Sequence, residues 1–271
     1  MIVAGVDVAE ERKGLDLVLI DVDRRILGSF GRLTVADVVS LLLREHRPDL
    51  VCVDSPSGWS RSGASRRAER ELAAMGISAF ATGADPGDHP FYRWMRVGFR
   101  LFRDLAASYP LFAGGALEGR AAEVYPHASA VLLAGRDRAE GETKVAFRRS
   151  ILRSQGVDEV TLPNGDRVDA ALAALTGVHA LEGHWTCVGD PAEGVVLLPI
   201  GGGLRRGGGR HPQGQPGPVP GGSEQPFELR LGAPEGHQAH TFGYVDEQVH
   251  VALGALLPPG DTAEDRGLPS P

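Results

Sequence analysis

Cysteine is scarce: the 271 residues contain only Cys52 and Cys187. Neither has a partner at metal-ligand spacing, which argues against a cysteine-built zinc site and against a disulfide framework. Reduced thiols are the simple expectation. Long hydrophobic runs are missing as well, since no stretch approaches the ~20 apolar residues needed to cross a bilayer. The N-terminus lacks the basic region and cleavage site of a signal peptide, so no membrane association and a cytoplasmic location are expected. There is no excess of positive charge either. A net charge of -7 gives no global attraction to nucleic acid, although a local basic groove is compatible with it. The hydrophobic content of 42% is ample for a core.

What is present is a repeated pattern. Ile2-Val3-Ala4-Gly5-Val6-Asp7 is a short unbroken apolar run ending in a carboxylate, which suits a strand buried on both faces. Leu50-Val51-Cys52-Val53-Asp54 repeats it, and Ala121-Ala122-Glu123-Val124-Tyr125 is a third short strand carrying an acid. An acid at the end of a buried strand costs desolvation unless a cation meets it. Residues 15–21 and 25–33 read as two further strands in an antiparallel meander with the first. Thr34 caps a helix expected over 35–47, which Pro48 ends.

The loop Ser55-Pro56-Ser57-Gly58-Trp59-Ser60-Arg61 follows Asp54, at the carboxyl end of a strand where ligands bind in open α/β sheets. Helices are expected over 65–75 and 91–105. The second should bury Trp94, Gly98, Leu101 and Leu105 and carry Arg93, Arg96, Arg100 and Arg103 on its other face. Helices over 127–133 and 141–155 follow. Asn164-Gly165 signals a turn, and Asp166 suits the N-cap of a helix over 167–182 with Asp169 one turn in. Small residues around Asp169 would let this helix approach a sheet closely. Residues 194–200 read as a last edge strand, with Pro199 near its end. From 201 on the composition changes: about a third is Gly or Pro, and 249–257 is the only apolar island. That is a signature of disorder.

Asp7, Asp54, Glu123 and Asp169 thus make four candidate metal ligands and catalytic acids. Asp166 is a secondary candidate, and Asp16 and Asp21 are expected to be solvated or turn residues. Carboxylates favour hard cations, so Mg²⁺ or Mn²⁺ is the expected cofactor. Two such ions ~4 Å apart can activate a water and stabilise a leaving oxygen in phosphodiester hydrolysis. Arg61, Arg66, Arg67, Arg93, Arg96 and Arg100 are the candidate phosphate contacts, which makes DNA or RNA the expected partner. Aromatic residues Phe91, Tyr92 and Trp94 lie close enough to add stacking.

Three meander strands, a helix, a parallel strand and a C-terminal acidic helix resemble the ribonuclease H-like fold. More narrowly, the chain resembles the domain-of-unknown-function family numbered 429. The residues that carry this are Gly5-Val6-Asp7-Val8-Ala9, Val53-Asp54-Ser55-Pro56-Ser57-Gly58-Trp59, Arg66-Arg67-Ala68-Glu69-Arg70-Glu71, Phe91-Tyr92-Arg93-Trp94-Met95, Glu123-Val124-Tyr125-Pro126-His127 and Asp166-Arg167-Val168-Asp169-Ala170-Ala171. The resemblance covers roughly residues 1–200. It implies an α/β fold with a mixed five-stranded sheet, flanking helices and a helical insert at about 55–118 between the fourth and fifth strands. It also implies a metal-dependent nuclease with its acids at Asp7, Asp54, Glu123 and Asp169. Two other readings compete: a non-catalytic nucleic-acid or protein-binding module with a vestigial site, and an actin-like ATPase or kinase-type phosphotransferase. The latter uses Asp-x-Gly after the first strand, where this chain has Asp7-Val8-Ala9.

Overall fold

The computed structural model describes residues 1–84 and 86–200. The expectation for the 201–271 tail, including its apolar island, lies outside the described residues. The N-terminal apolar run forms β1 (Ile2–Asp7), followed by β2 (Leu15–Asp21) and β3 (Ile26–Leu33). β2 pairs antiparallel with both neighbours, which is the expected meander. Helix α1 (Val35–Ser40) starts from a capping box in which Thr34 and Asp37 exchange side-chain and backbone bonds. The helix expected over 35–47 changes character at Leu41, where it widens into a π-helical stretch, Leu41–His46. It ends at Arg47 in a left-handed conformation, before Pro48.

The crossover delivers β4 (Leu50–Asp54) parallel to β1. Helices α2 (Arg67–Ala74) and α3 (Arg93–Leu105) lie between β4 and β5 (Arg120–Val124), which runs parallel to β4. Then come α4 (Pro126–Ala134), α5 (Lys144–Ser154), α6 (Gly165–Leu181) and a hairpin of β6 (Trp185–Asp190) and β7 (Gly194–Pro199). The strand order is β3-β2-β1-β4-β5-β7-β6. The class is the expected α/β one, with the meander followed by parallel strands, but the sheet has seven strands rather than five. The hairpin is the difference. β7 inserts beside β5 and β6 takes the edge, so the 194–200 strand is interior and its Pro199 pairs with Trp185 at its end.

Alternation along the strands divides the core in two. Val3, Leu50, Cys52, Ala122 and Val124 face α4, α5 and α6. Ala4, Val6, Val51, Val53 and Ala121 face α1 and α3. On α3 the buried stripe is Met95, Gly98, Leu101, Phe102 and Leu105, whereas Trp94 is only half-buried, beside Phe80. Helix α6 is almost wholly buried and lies directly on β1 and β4. Gly5 makes this possible: a Cβ there would collide with the Ala170 carbonyl oxygen and the Ala174 amide. Further along, Gly177 leaves room for Val3 and Cys52. The late residues of α6 therefore lie over the start of β1 and the early ones near its end, so the helix runs antiparallel to the strand. Its first turn comes down where Asp7 and Asp54 emerge.

Candidate metal centre

Asp7 and Asp54 are register partners on adjacent parallel strands, so both project from the α6 face at the carboxyl edge of the sheet. Helix α6 adds Asp166 and Asp169, three residues apart and hence on one side of the helix. The cap of this helix is Asn164, whose side chain accepts from the Arg167 amide. Asp166, expected as the cap, is thereby free to join the cluster, where it pairs with Lys13 at 2.8 Å. Asp169 is buried and pairs with Arg148, itself buried, and with Lys144 at 3.5 Å. Arg167 fixes the same turn to the sheet by bonding Asp16 and, at 2.7 Å, Ser29 Oγ. Asp16 is therefore a buried ion-pair partner rather than a solvated residue.

The electrostatics follow from this crowding. Burial holds the Asp7 carboxyl well above the ordinary carboxylate range, and repulsion from Asp54, Asp169 and Asp166 adds to the shift while Lys13 opposes it. Burial and Asp169 push Asp54 up to about 7, against the pull of Arg148 and Lys144. Burial is the main cause at both acids, so Asp7 and Asp54 are the ones that an incoming cation would relieve most. Four hard oxygen donors with no sulfur or imidazole among them match the donor chemistry of Mg²⁺ or Mn²⁺.

Glu123 is placed elsewhere. Its register partner is Val53, and it is Val124 that lies beside Asp54. Its side chain thus leaves the opposite face of the sheet from Asp7 and Asp54. There it is buried against Arg66, with Nη2 to Oε1 at 2.5 Å and Nη1 to Oε2 at 2.9 Å, and it accepts from the Ser57 amide at 2.9 Å. Arg66 also binds Glu69, and Thr82 Oγ1 donates to Glu69 at 3.1 Å. The structure removes Glu123 from the carboxylate cluster and gives it the task of anchoring the loop after Asp54. Arg66, only 1% exposed, is by the same geometry a buried partner and not a phosphate contact.

The other arginines divide by partner. Arg67 is exposed and pairs with Glu71 at 2.6 Å, and Arg100 pairs with Glu11 at 3.1 Å. Arg96 bonds the Gly87 carbonyl and lies 5.9 Å from the Trp59 ring centre. Arg61 and Arg93 are exposed and make no ion pair among the described residues. Trp59 itself packs edge-on against Tyr92 and Phe99, at 5.6 and 4.6 Å between ring centres. Sequence reasoning missed Lys13, Lys144 and Arg148 as the cluster's counter-charges. Only Asp166 had a usable signal, because Asn164-Gly165 supplies a good cap two residues earlier and leaves the acid without that job.

Among solved structures, the chain is similar to RuvC of Thermus thermophilus. That match has 21% identity and a TM-score of 0.39, and covers 68% of this chain and 97% of that one. The T. thermophilus RuvC in complex with its Holliday junction substrate also matches, at 22% identity and a TM-score of 0.37, over 68% and 94% of the two chains. No curated protein matches the chain. The family model described as "Protein of unknown function (DUF429)" matches residues 5–194, and the chain belongs to that family.

Proposed function

We propose that this protein is a metal-dependent nuclease whose site is built by Asp7, Asp54, Asp166 and Asp169. The observation that carries the reading is that Asp7 and Asp54 leave adjacent strand ends on one face, beside the turn of α6 that carries Asp166 and Asp169, where burial and the neighbouring acids raise the pKa values of Asp7 and Asp54. Mg²⁺ or Mn²⁺ bound by such a set would supply an activated water and stabilise the leaving oxygen of a phosphodiester. Asp7 and Asp54 are held by the sheet, so their separation is set by strand spacing. Lys13 and Lys144, both more than half exposed, hold Asp166 and Asp169 in place and are free to turn toward a phosphate. Arg61 and Arg93 would extend the positive surface, and Trp59 with Tyr92 would offer stacking faces.

The test is cleavage of labelled single strands, flaps and four-way junctions of DNA and RNA with Mg²⁺ or Mn²⁺, using the protein and its Asp7→Asn variant. Asp7→Asn should abolish metal-dependent cleavage and keep the fold, because amide and carboxylate are nearly isosteric. Equal cleavage by both proteins would sink the reading. One observation favours the alternative of a non-catalytic binding module: Arg148 is buried against Asp169, as though the cluster were already neutralised from within. Nucleic-acid binding with neither cleavage nor divalent-ion binding would select that alternative.

A further inference from the structure

At the other end of α6 lies a second group of ligands, of different chemistry. His179 is in the last turn of the helix, Glu182 caps it, and His184 follows Gly183 on the way into β6. One ring nitrogen of each histidine and one Glu182 oxygen lie within 4.8 Å of one another. His179 is 8% exposed, and its Nδ1 is buried with no hydrogen-bond partner among the described residues. Its Nε2 meets Gln155 Oε1 at 3.1 Å. An amide oxygen only accepts, so Nε2 carries the proton and Nδ1 is left with a bare lone pair. A buried lone pair without a donor costs free energy, and a metal ion removes that cost. The Gln155 contact is of the kind that fixes the tautomer and orientation of a metal-bound imidazole.

We propose that His179, Glu182 and His184 form a zinc site, distinct from the carboxylate cluster, that ties the end of α6 to the start of β6. Two imidazoles and one carboxylate are a borderline-soft set that suits Zn²⁺ and leaves its fourth position to water. The helix terminus adds favourable potential, since its free carbonyls carry partial negative charge. Arg24 donates to both Glu182 oxygens, with Nη2 to Oε2 at 2.8 Å. A carboxylate has about four lone-pair sites, so this arginine orients Glu182 and still leaves it able to coordinate. Arg24 itself sits at φ 66 in the β2–β3 turn, and the zinc site would help to hold that turn closed.

Zinc chloride titrated calorimetrically into the full-length, metal-free protein provides the test, with the melting temperature as a second readout. The sequence also places histidines at 211, 237, 240 and 250, so variants decide the assignment. One zinc per chain should bind to the wild type and to Asp7→Asn alike and raise the melting temperature of both. His184→Ala, an exposed position, should weaken binding at least ~10-fold and remove the thermal shift, and Glu182→Gln should do the same while keeping a bond to Arg24. The proposal is overturned if no zinc binds at millimolar concentration. It is equally overturned if binding and thermal shift survive both substitutions, which would assign the metal to other groups.

Discussion

At the scale of single residues, acids of the same strand-end pattern have opposite roles, and one register step decides which. Asp54 and Glu123 sit at the ends of neighbouring strands, yet pairing Val124 with Asp54 turns Glu123 to the other face. Glu123→Gln is expected to destabilise the protein by about 1–3 kcal/mol, since it leaves the buried Arg66 with Glu69 as its one charged partner. Asp166→Asn sits in a half-buried turn and should cost little stability while weakening Mg²⁺ or Mn²⁺ binding. Denaturant unfolding and calorimetric metal titration on both variants read this contrast, and the reverse pattern would restore Glu123 to the metal centre. The sequence could not settle it: each carboxylate was visible as an acid at a strand end, but which face it leaves depends on pairing between strands that lie far apart in the chain.

At the scale of elements, the contact between β1 and α6 sets how near the acids of the helix come to those of the sheet. Gly5→Ala would push its Cβ into the Ala170 carbonyl and lift the helix. We expect a loss of about 1–3 kcal/mol and, beyond it, a loss of metal affinity in the protein that remains folded. A variant of full stability and unchanged affinity would show that the helix does not depend on that glycine. Asn164→Ala should cost about 1 kcal/mol, seen in thermal unfolding. Helix α6 was legible from its period and its alanines, whereas its cap was misread by two residues because Asn164 and Asp166 are about equally good caps. On α3, charge reversal at Arg93 and Arg96 should weaken nucleic-acid binding and flatten its salt dependence. An unchanged slope in titrations at several salt concentrations would leave that face as plain surface.

At the scale of the whole molecule, the cluster sets how stability varies with pH. The Asp54 carboxyl goes from an ordinary value of 3.8 to about 7 on folding, so the folded state holds its proton more tightly than the unfolded chain does. This contribution is complete below about pH 4, declines through the window between, and is gone above about pH 7. Metal-free protein should therefore lose on the order of 2–4 kcal/mol between those limits, and Mg²⁺ should return part of it at neutral pH. Thermal melting in EDTA and in Mg²⁺ across the range checks this, and a flat metal-free curve would contradict it. Much of the global arrangement was legible: the meander, the crossover and the acidic helix all follow from local pattern. The β6–β7 hairpin was not. Trp185–Asp190 alternates weakly, and its place at the edge depends on β7 pairing with β5 from a distance. Among the described residues, no helix is long and apolar enough to cross a membrane.

The antiparallel seat of α6 on β1 also has a consequence in time. A ribosome adding about 5–20 residues per second makes Asp7 roughly 8–30 seconds before Asp166, some 160 residues later. During synthesis the growing chain carries half of its acids on a bare sheet edge, with no helix to complete them. Only a chain extended through α6 can close the cluster. A product stalled before α6 holds only the two strand-end acids, so the order of the chain itself delays assembly of the cluster until that helix is made.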